Sequence, residues 1–425
     1  MSTIANYKPP KKIILDNGLR IIAEEVPGTF SCALSIWIDA GSIDEEVSNN
    51  GVSHFIEHMV FKGISTRTAL DIAEQSENVG ANLNAFTDRE HTCFHTRVLS
   101  EYVSVAIELF LDMIFNSRLD KNDLELERQV ILEEIKMYLD TPEDLVQDLL
   151  YEIIWKGHPI GRPITGTTES ISKLKKDVIV KFLKDLYTPD NIIISVAGKF
   201  NLDEIVRQAE KLTSHVKNTR DKKDLPPLVI TPDVFIEDKD TELSHLSFAT
   251  KGVSVFEEDR YTLAAIDSAL GGGMSSRLYQ EIRENRGLVY AISSYYNTNK
   301  LGGLFGVYAG AADKDSNLVL DLILKELKKI KNHGLKPDEL ARAKMQLKSG
   351  LLLELESTKV RAFRNALYDL YYNRFISPNE INNSVESITN ERVIKLASEI
   401  FDSKYFTLTV VGPRNALPKT FKLTI

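Results

Sequence analysis

Apolar and polar residues near the start of the chain follow the two-residue period of β-strands. Two short apolar segments, Lys12–Leu15 and Leu19–Ala23, flank an Asn-Gly dipeptide that is typical of a tight hairpin turn. The residues from Ala33 to Asp39 alternate again and predict a third strand. A break of Asn and Gly residues follows, after which a helix is predicted to start near Val52.

The rest of the first half predicts a mixture of helices and strands. Helical spacing covers Thr68–Asn78, Ser100–Asn116, Asp120 to about Trp155 with an interruption at Thr141-Pro142, and Asp177–Leu186. Strand patterns cover Asn82–Thr87, Thr92–Leu99 and Ile192–Ala197.

The second half of the chain repeats the pattern of the first. The segment LDKNDLELER at Leu119 parallels LKPDELARAK at Leu335, and residues 173–198 parallel residues 387–412. The offsets, 216 residues for the first pair and 214 for the second, are nearly constant, which indicates duplication of one unit.

We therefore predict two homologous repeats of α+β class, each a mainly antiparallel sheet with helices packed on it. The first repeat comprises residues 1–214 and the second residues 235–425. Residues 215–234 are polar, charged and contain prolines, and are the predicted linker.

Composition and charge argue against several classes of function. The net charge of −9 and the absence of a dense Lys/Arg block argue against a nucleic-acid partner. Two cysteines, Cys32 and Cys93, cannot form a disulfide framework. No signal, transit or membrane-spanning segment is found, so we expect a cytoplasmic protein without a membrane partner.

The helix predicted near Val52 carries the strongest chemical signal. Its segment GVSHFIEHMVFKG contains His54, Glu57 and His58, and on a helix Glu57 and His58 each lie within about 60° of His54. Two imidazoles at this spacing can bind one Zn²⁺, and a carboxylate between them can accept a proton from metal-bound water. The order H-x-x-E-H is the reverse of H-E-x-x-H. The alternative is a surface helix with two unrelated histidines.

A catalytic zinc ion needs a third protein ligand and one open position. The segment ERQVILEEIKMY supplies the candidate Glu134, with Glu127 two helical turns before it on the same face as a supporting carboxylate. Taken alone, these glutamates also fit a solvated acidic helix. A competing metal site would use His91, Cys93 and His95, which alternate along a predicted strand but lack an accompanying carboxylate base.

These segments together resemble the pitrilysin, insulin-degrading enzyme and mitochondrial processing peptidase family of inverted-motif zinc peptidases. The resemblance covers nearly the whole chain, and the family's E-R-x-V-I-x-x-E pattern matches residues 127–134. It implies that His54, His58 and Glu134 bind Zn²⁺, that Glu57 is the catalytic base and that Glu127 supports the site.

Two further segments resemble parts of the family that bind peptide. GANLNAFTDREHT is similar to the strand that lies along the substrate backbone, which implies that Asn84 and Ala85 bind substrate by strand addition. RENRGLVY resembles the R-x-x-x-x-L-x-Y segment, which implies that Arg283 and Tyr290 stabilise the oxyanion, with Arg286 as an alternative to Arg283.

Chains of this length in the family are half-size, processing-peptidase-like subunits that pair as a clamshell. The resemblance therefore implies a homodimer that hydrolyses peptides or unfolded segments in its chamber, with Arg283 and Tyr290 supplied by the partner subunit. The alternative is a non-catalytic scaffold subunit like those of the respiratory bc1 complex. The complete metal motif favours the peptidase, although the second repeat has no H-x-x-E-H.

Overall fold

The computed structural model describes residues 7–218, 224–414 and 423–424. The chain forms two compact units. The first unit comprises residues 1–136, 162–225 and 353–377, and the second comprises residues 137–161, 226–352 and 378–425.

The strands and helices predicted for residues 12–197 are present in the first half of the chain. The strands are β1 (Lys11–Ile14), β2 (Arg20–Glu25), β3 (Ser31–Ile38), β4 (Asn84–Thr87), β5 (Thr92–Leu99) and β6 (Ile192–Gly198). The helices are α1 (Val52–Val60), α2 (Ala69–Asn78), α3 (Val103–Asn116), α4 (Lys121–Asp140, which ends in the second unit), α6 (Thr168–Lys173), α7 (Lys176–Leu186), α8 (Leu202–Thr213) and α12 (Thr358–Tyr372). Of these, α6, α8 and α12 were not predicted.

The second unit contains the remaining elements. Its strands are β7 (Val234–Asp238), β8 (Ser244–Lys251), β9 (Val289–Asn299), β10 (Gly302–Ala311) and β11 (Thr407–Gly412). Its helices are α5 (Pro142–Ile154), α9 (Arg260–Leu270), α10 (Ser316–His333), α11 (Pro337–Glu354, which ends in the first unit), α13 (Pro378–Glu386) and α14 (Asn390–Ile400).

The two sheets confirm the predicted duplication and the α+β class. The first sheet has the order β1-β2-β6-β3-β5-β4, and the second has the order β7-β11-β8-β10-β9. Apart from the additional β1, the orders correspond strand for strand. In both sheets one pair, β2 with β6 and β7 with β11, is parallel, whereas the other neighbours are antiparallel.

Both faces of the first sheet are covered, which explains why β3 is an almost continuous apolar run. One face carries the main core, which includes Leu34 and Ile36 of β3 and the buried side of α1. The opposite face packs against α12, where Trp37 and Ala366 belong to one buried cluster. The Ser195 hydroxyl of β6 also donates to the Ala362 carbonyl of α12 at 2.7 Å.

The packing units differ from the predicted halves 1–214 and 235–425 because two corresponding helices belong to opposite units. Helix α5 comes from the first half, yet Val146 of α5 accepts a hydrogen bond from Thr409 of β11 at 2.9 Å. Helix α12 comes from the second half and packs in the first unit. Since both helices have an apolar face, their sequences alone do not specify which sheet each one covers.

The predicted linker, residues 215–234, includes residues 219–223, which lie outside the described residues. Its last residue, Val234, begins β7. Among the helices that the structure describes, none has the length and apolar character needed to cross a bilayer.

Candidate metal centre

Helix α1 is held at its first turn by a buried carboxylate rather than by its own N-cap residue. Gly51 precedes the helix with φ = 92°, a conformation that favours glycine, and has no side chain to cap it. The Glu45 side chain instead accepts hydrogen bonds from the backbone N–H groups of Gly51 at 2.7 Å and Ser53 at 2.9 Å. Burial raises the pKa of Glu45 to about 7, whereas these hydrogen bonds act in the opposite direction.

The apolar residues of α1 determine which way its polar residues point. Phe55, Ile56, Met59 and Val60 are fully buried in the main core of the first unit. The helix therefore cannot rotate without exposing large apolar side chains, and His54, Glu57 and His58 share the remaining face.

The structure brings His54 and His58 together with Glu134 of α4. The Nε2 atoms of both histidines lie 3.7 Å from the same carboxylate oxygen of Glu134. One ligand atom from each residue lies within 4.8 Å of the others, and no other group of this kind occurs in the described part of the chain.

This donor set fits a tetrahedral zinc ion. Ligands at about 2.0–2.2 Å from a tetrahedral ion are separated by about 3.3–3.6 Å, close to the distances observed here. Two imidazoles and one carboxylate also match a catalytic zinc site, which leaves the fourth position for water or substrate. Burial, with a smaller effect of His58, lowers the pKa of His54 to about 4, so its imidazole is neutral and can bind metal.

Glu127 contacts His58 through the ring nitrogen that does not approach Glu134. Its Oε2 atom lies 3.0 Å from His58 Nδ1, and its Oε1 atom lies 2.6 Å from the ammonium of Lys62. A proton on Nδ1 is donated to this carboxylate, which leaves the Nε2 lone pair directed toward Glu134. Lys62 balances the charge of the buried Glu127 side chain.

Glu57 lies on the same face of α1 as His54 and His58, and one of its carboxylate oxygens is hydrogen-bonded. The Thr87 hydroxyl at the end of β4 donates to Glu57 Oε2 at 2.6 Å. Burial raises the pKa of Glu57, whereas the bond from Thr87 acts in the opposite direction. Burial likewise raises the pKa of Glu134. A carboxylate held in this way can accept and release a proton.

The predicted peptide-binding residues Asn84 and Ala85 lie on an edge strand. Strand β4 is the last strand of its sheet, paired only with β5 among the described strands. Asn84 is exposed, and its side-chain oxygen accepts the Ala85 N–H at 2.7 Å. The free side of β4 therefore has the form that strand addition requires.

The structure places Arg283 and Tyr290 in the second unit, not in the unit that holds the histidines. Tyr290 begins β9 with 75% of its surface exposed. The guanidinium of Arg283 lies 4.9 Å from the ring centre of Tyr279 and donates to its hydroxyl at 3.1 Å. Arg286 is paired with Glu281 at 2.8 Å.

The competing metal site at His91, Cys93 and His95 does not form. These residues face α12, where the His91 ring packs against Trp37 and the His95 ring lies 5.1 Å from Phe363. Cys93 is buried in the same layer. Their alternation on one strand face serves packing between the sheet and the helix.

Sequence reasoning missed three residues of the site, namely Glu45, Lys62 and Thr87. Lys62 could have been identified from the sequence, because it follows His58 by four residues, in the turn directly after α1. Thr87 lies two residues after Ala85, on the same face of the strand. Glu45 had none, since its contacts to α1 depend on the path of an irregular loop.

The second repeat contains a similar contact between a helix carboxylate and an edge-strand hydroxyl, but it lacks the two histidines. Helix α9 corresponds to α1 in the order of elements, and its Asp267 accepts a hydrogen bond from Ser294 of the edge strand β9 at 2.6 Å. Ser268 of α9 is hydrogen-bonded to Gln346. The pair Asp267–Ser294 thus parallels Glu57–Thr87.

Comparison with known proteins agrees with this geometry. Residues 20–168 match the family described as insulinase, peptidase family M16, and residues 173–347 match the peptidase M16 inactive domain. The uncharacterized zinc protease YmxG of Bacillus subtilis is 36% identical over 96% of this chain and 99% of its own length. An uncharacterized zinc protease of Mycobacterium leprae is 34% identical over 97% of this chain and 94% of its own.

Two crystal structures share the fold. A protease from Helicobacter pylori has a TM-score of 0.89 and 22% identity, covering 96% of this chain and 100% of its own. A Pseudomonas fluorescens protein described as a peptidase M16 inactive domain has a TM-score of 0.89 and 18% identity, covering 96% and 98%. Sequence identity to the curated relatives over nearly the full length of both chains establishes that this chain belongs to peptidase family M16, the insulinase family.

Proposed function

We propose that this protein is a zinc metalloendopeptidase that hydrolyses peptides or unfolded protein segments. The convergence of His54, His58 and Glu134 beside the carboxylate of Glu57 carries the proposal. The donor set fits Zn²⁺, and curated relatives are named zinc proteases.

In this proposal His54, His58 and Glu134 hold the zinc ion, Glu57 transfers the proton and Thr87 positions Glu57. When bound, Zn²⁺ polarises a carbonyl and lowers the pKa of a coordinated water toward about 7. Glu57 accepts the proton of the attacking water and passes it to the leaving amine. Thr87 holds one oxygen of Glu57, so the other oxygen keeps a defined direction.

We propose that the peptide binds along the free edge of β4. Main-chain hydrogen bonds to an edge strand hold an extended chain with little dependence on sequence. Asn84 and Ala85 lie on this strand, three and two residues before Thr87, which contacts the catalytic base. Strand addition therefore brings the peptide backbone to the cluster.

We also propose a homodimer in which the partner subunit contributes Arg283 and Tyr290. The exposed phenol of Tyr290 is a suitable donor to a developing oxyanion, and Arg283 supplies a cation. Mixing Glu57→Gln chains with Arg283→Ala chains tests the arrangement, because a shared site restores part of the activity in mixed dimers. Failure to recover any activity in verified mixed dimers contradicts it.

The alternative is a non-catalytic scaffold of the same fold. The descriptions of the match to residues 173–347 and of the Pseudomonas fluorescens structure as inactive domains favour it, whereas the first repeat retains the complete donor set. Zinc analysis combined with cleavage assays on wild type and Glu57→Gln decides between them. Full zinc content without cleavage of any peptide in a diverse library favours the scaffold.

A further inference from the structure

We propose that Lys359, together with Phe86, His95 and Phe363, forms a subsite that selects an acidic side chain of the bound peptide. This inference rests on the proposed function, since it assumes that an extended peptide pairs with β4. We call these four residues the Lys359 subsite.

The side chains of β4 alternate between two faces, and only one face belongs to the metal centre. Thr87 contacts Glu57, and Ala85 packs on the core that contains α1. Asn84 and Phe86 point to the opposite face, where Phe86 packs with Trp37 and Phe363. A peptide added to β4 alternates in the same way, so every second side chain is directed to the α12 face.

Aromatic rings form the floor of the subsite. Phe363 of α12 lies 6.0 Å from Phe86 and 5.1 Å from His95 between ring centres, and all three rings are partly exposed. His95 is the cross-strand partner of Asn84, which places it beside the first residue of β4. The floor can therefore contact the aliphatic part of a side chain from the peptide.

A cation lies at the edge of this floor. The ammonium of Lys359, in the first turn of α12, lies 5.2 Å from the ring centre of Phe363. Lys359 is exposed, and within the described residues no carboxylate lies within ion-pair distance of it. Its charge acts on His95, whose pKa is lowered to about 4 by burial and then by Lys359. His95 is therefore neutral and can donate a hydrogen bond.

An apolar floor, a cation and a neutral hydrogen-bond donor together fit a glutamate or aspartate side chain. The methylene groups of such a side chain can lie on the rings while its carboxylate reaches Lys359. A lysine of the peptide is repelled at the same place, which adds discrimination. A C-terminal carboxylate has the same chemistry, so the test must separate it from a side chain.

The test uses fluorogenic peptides that are acetylated and amidated, with Glu, Gln or Lys placed in turn at each position around the cleaved bond. The wild type is compared with Lys359→Glu, with Lys359→Met, which keeps the apolar stem, and with Lys176→Glu as control. Lys176 is exposed on α7 and gives the same change in charge. Cleavage is measured as kcat/KM, and binding is measured by anisotropy in a Glu57→Gln background.

At one or more alternating positions, the wild type is expected to prefer Glu over Gln by about 1.5- to 5-fold, as for an exposed ion pair, and less at high salt. Lys359→Met abolishes this preference and Lys359→Glu reverses it toward Lys, whereas Lys176→Glu behaves as wild type. The proposal is overturned if Lys359→Glu leaves the Glu-to-Lys ratio unchanged, if Lys176→Glu shifts it equally, or if a preference appears only with free C-termini.

The two proposals fail in different ways. If no peptide is cleaved but the Glu57→Gln chain binds peptides with a ratio that depends on Lys359, the subsite stands and the peptidase function does not. If peptides are cleaved without that dependence, only the subsite is wrong. If no peptide binds or is cleaved, both are wrong.

Discussion

Removal of the Glu45 carboxylate is predicted to loosen the helix that carries His54 and His58. Glu45 is buried and accepts hydrogen bonds from Gly51 N–H, Ser53 N–H and, at 2.8 Å, the Asn50 side chain. The substitution Glu45→Ala leaves the Gly51 and Ser53 N–H groups without an acceptor in a buried place, whereas the Asn50 side chain keeps its hydrogen bond to the Pro163 carbonyl at 3.0 Å. Helix α1 has no other side-chain cap, so nothing replaces the lost bonds.

The free energy lost from the first turn of α1 follows from the energetic cost of buried hydrogen-bond donors without an acceptor. Each buried donor without a partner costs about 1–3 kcal/mol, and neighbouring losses are less than additive. With two backbone donors left unpaired, we expect about 2–4 kcal/mol against the closed first turn of α1. Glu45→Gln keeps one acceptor oxygen, so we expect about half of that loss.

Amide hydrogen exchange of the α1 segment is the suitable assay, because it reports local opening in a chain with two compact units. The expected loss corresponds to an increase in exchange of about 30- to 700-fold, since about 1.4 kcal/mol is a factor of ten. Chelator competition then measures zinc affinity, which should fall because His54 lies one residue after Ser53.

Asn201→Ala provides the matched control. Asn201 caps α8 in the same unit by accepting the Glu204 N–H at 3.3 Å, and its loss should cost about 1 kcal/mol without changing zinc affinity. The reasoning is refuted if Glu45→Ala is folded and its α1 segment exchanges within about threefold of wild type. Equal loss of zinc affinity in both variants also refutes it.

Three further predictions concern single contacts. Glu127→Gln weakens the orientation of His58 and should lower zinc affinity by about 10- to 100-fold in chelator titrations, whereas an unchanged affinity excludes this role. Thr87→Val should lower kcat with little change in KM, and Thr87→Ser should restore it; a Ser variant as impaired as Val contradicts the hydroxyl contact. Burial raises the pKa of Asp267 from 3.8 to about 6 in the folded chain, so its stability contribution is complete below pH 3.8 and lost as pH rises through about 6. Asp267→Asn should therefore flatten that part of the melting-temperature profile, and an unchanged slope argues against it.

Regular spacing explains why much of the metal centre was predictable. The i, i+3, i+4 pattern of α1 and the seven-residue interval between Glu127 and Glu134 are local properties of helices. The core residues Phe55 and Met59 then orient α1 as their spacing indicates. The catalytic roles of these residues stay predictions until the variants are measured.

Contacts between distant segments explain what was not predictable. The hydrogen bonds of Glu45 depend on backbone N–H groups, which are identical in every sequence. The placement of α5 and α12 depends on a choice between two sheets of equivalent topology. Phe363 and Lys359 meet β4 only because α12 packs in the first unit, so no local pattern connects them with His95.

The placement of α12 in the first unit gives the second repeat a role there, although the second repeat has no metal ligands. The second repeat retains the carboxylate–hydroxyl pair Asp267–Ser294 but has no histidine on α9. Its helix α12 nevertheless covers the first sheet and supplies Phe363 and Lys359 beside the edge strand. Loss of this helix would expose Trp37 and Ile193 and remove Phe363 and Lys359 from beside β4. Helix α12 of the second repeat therefore contributes both to the core of the first unit and to the surface where the peptide is proposed to bind.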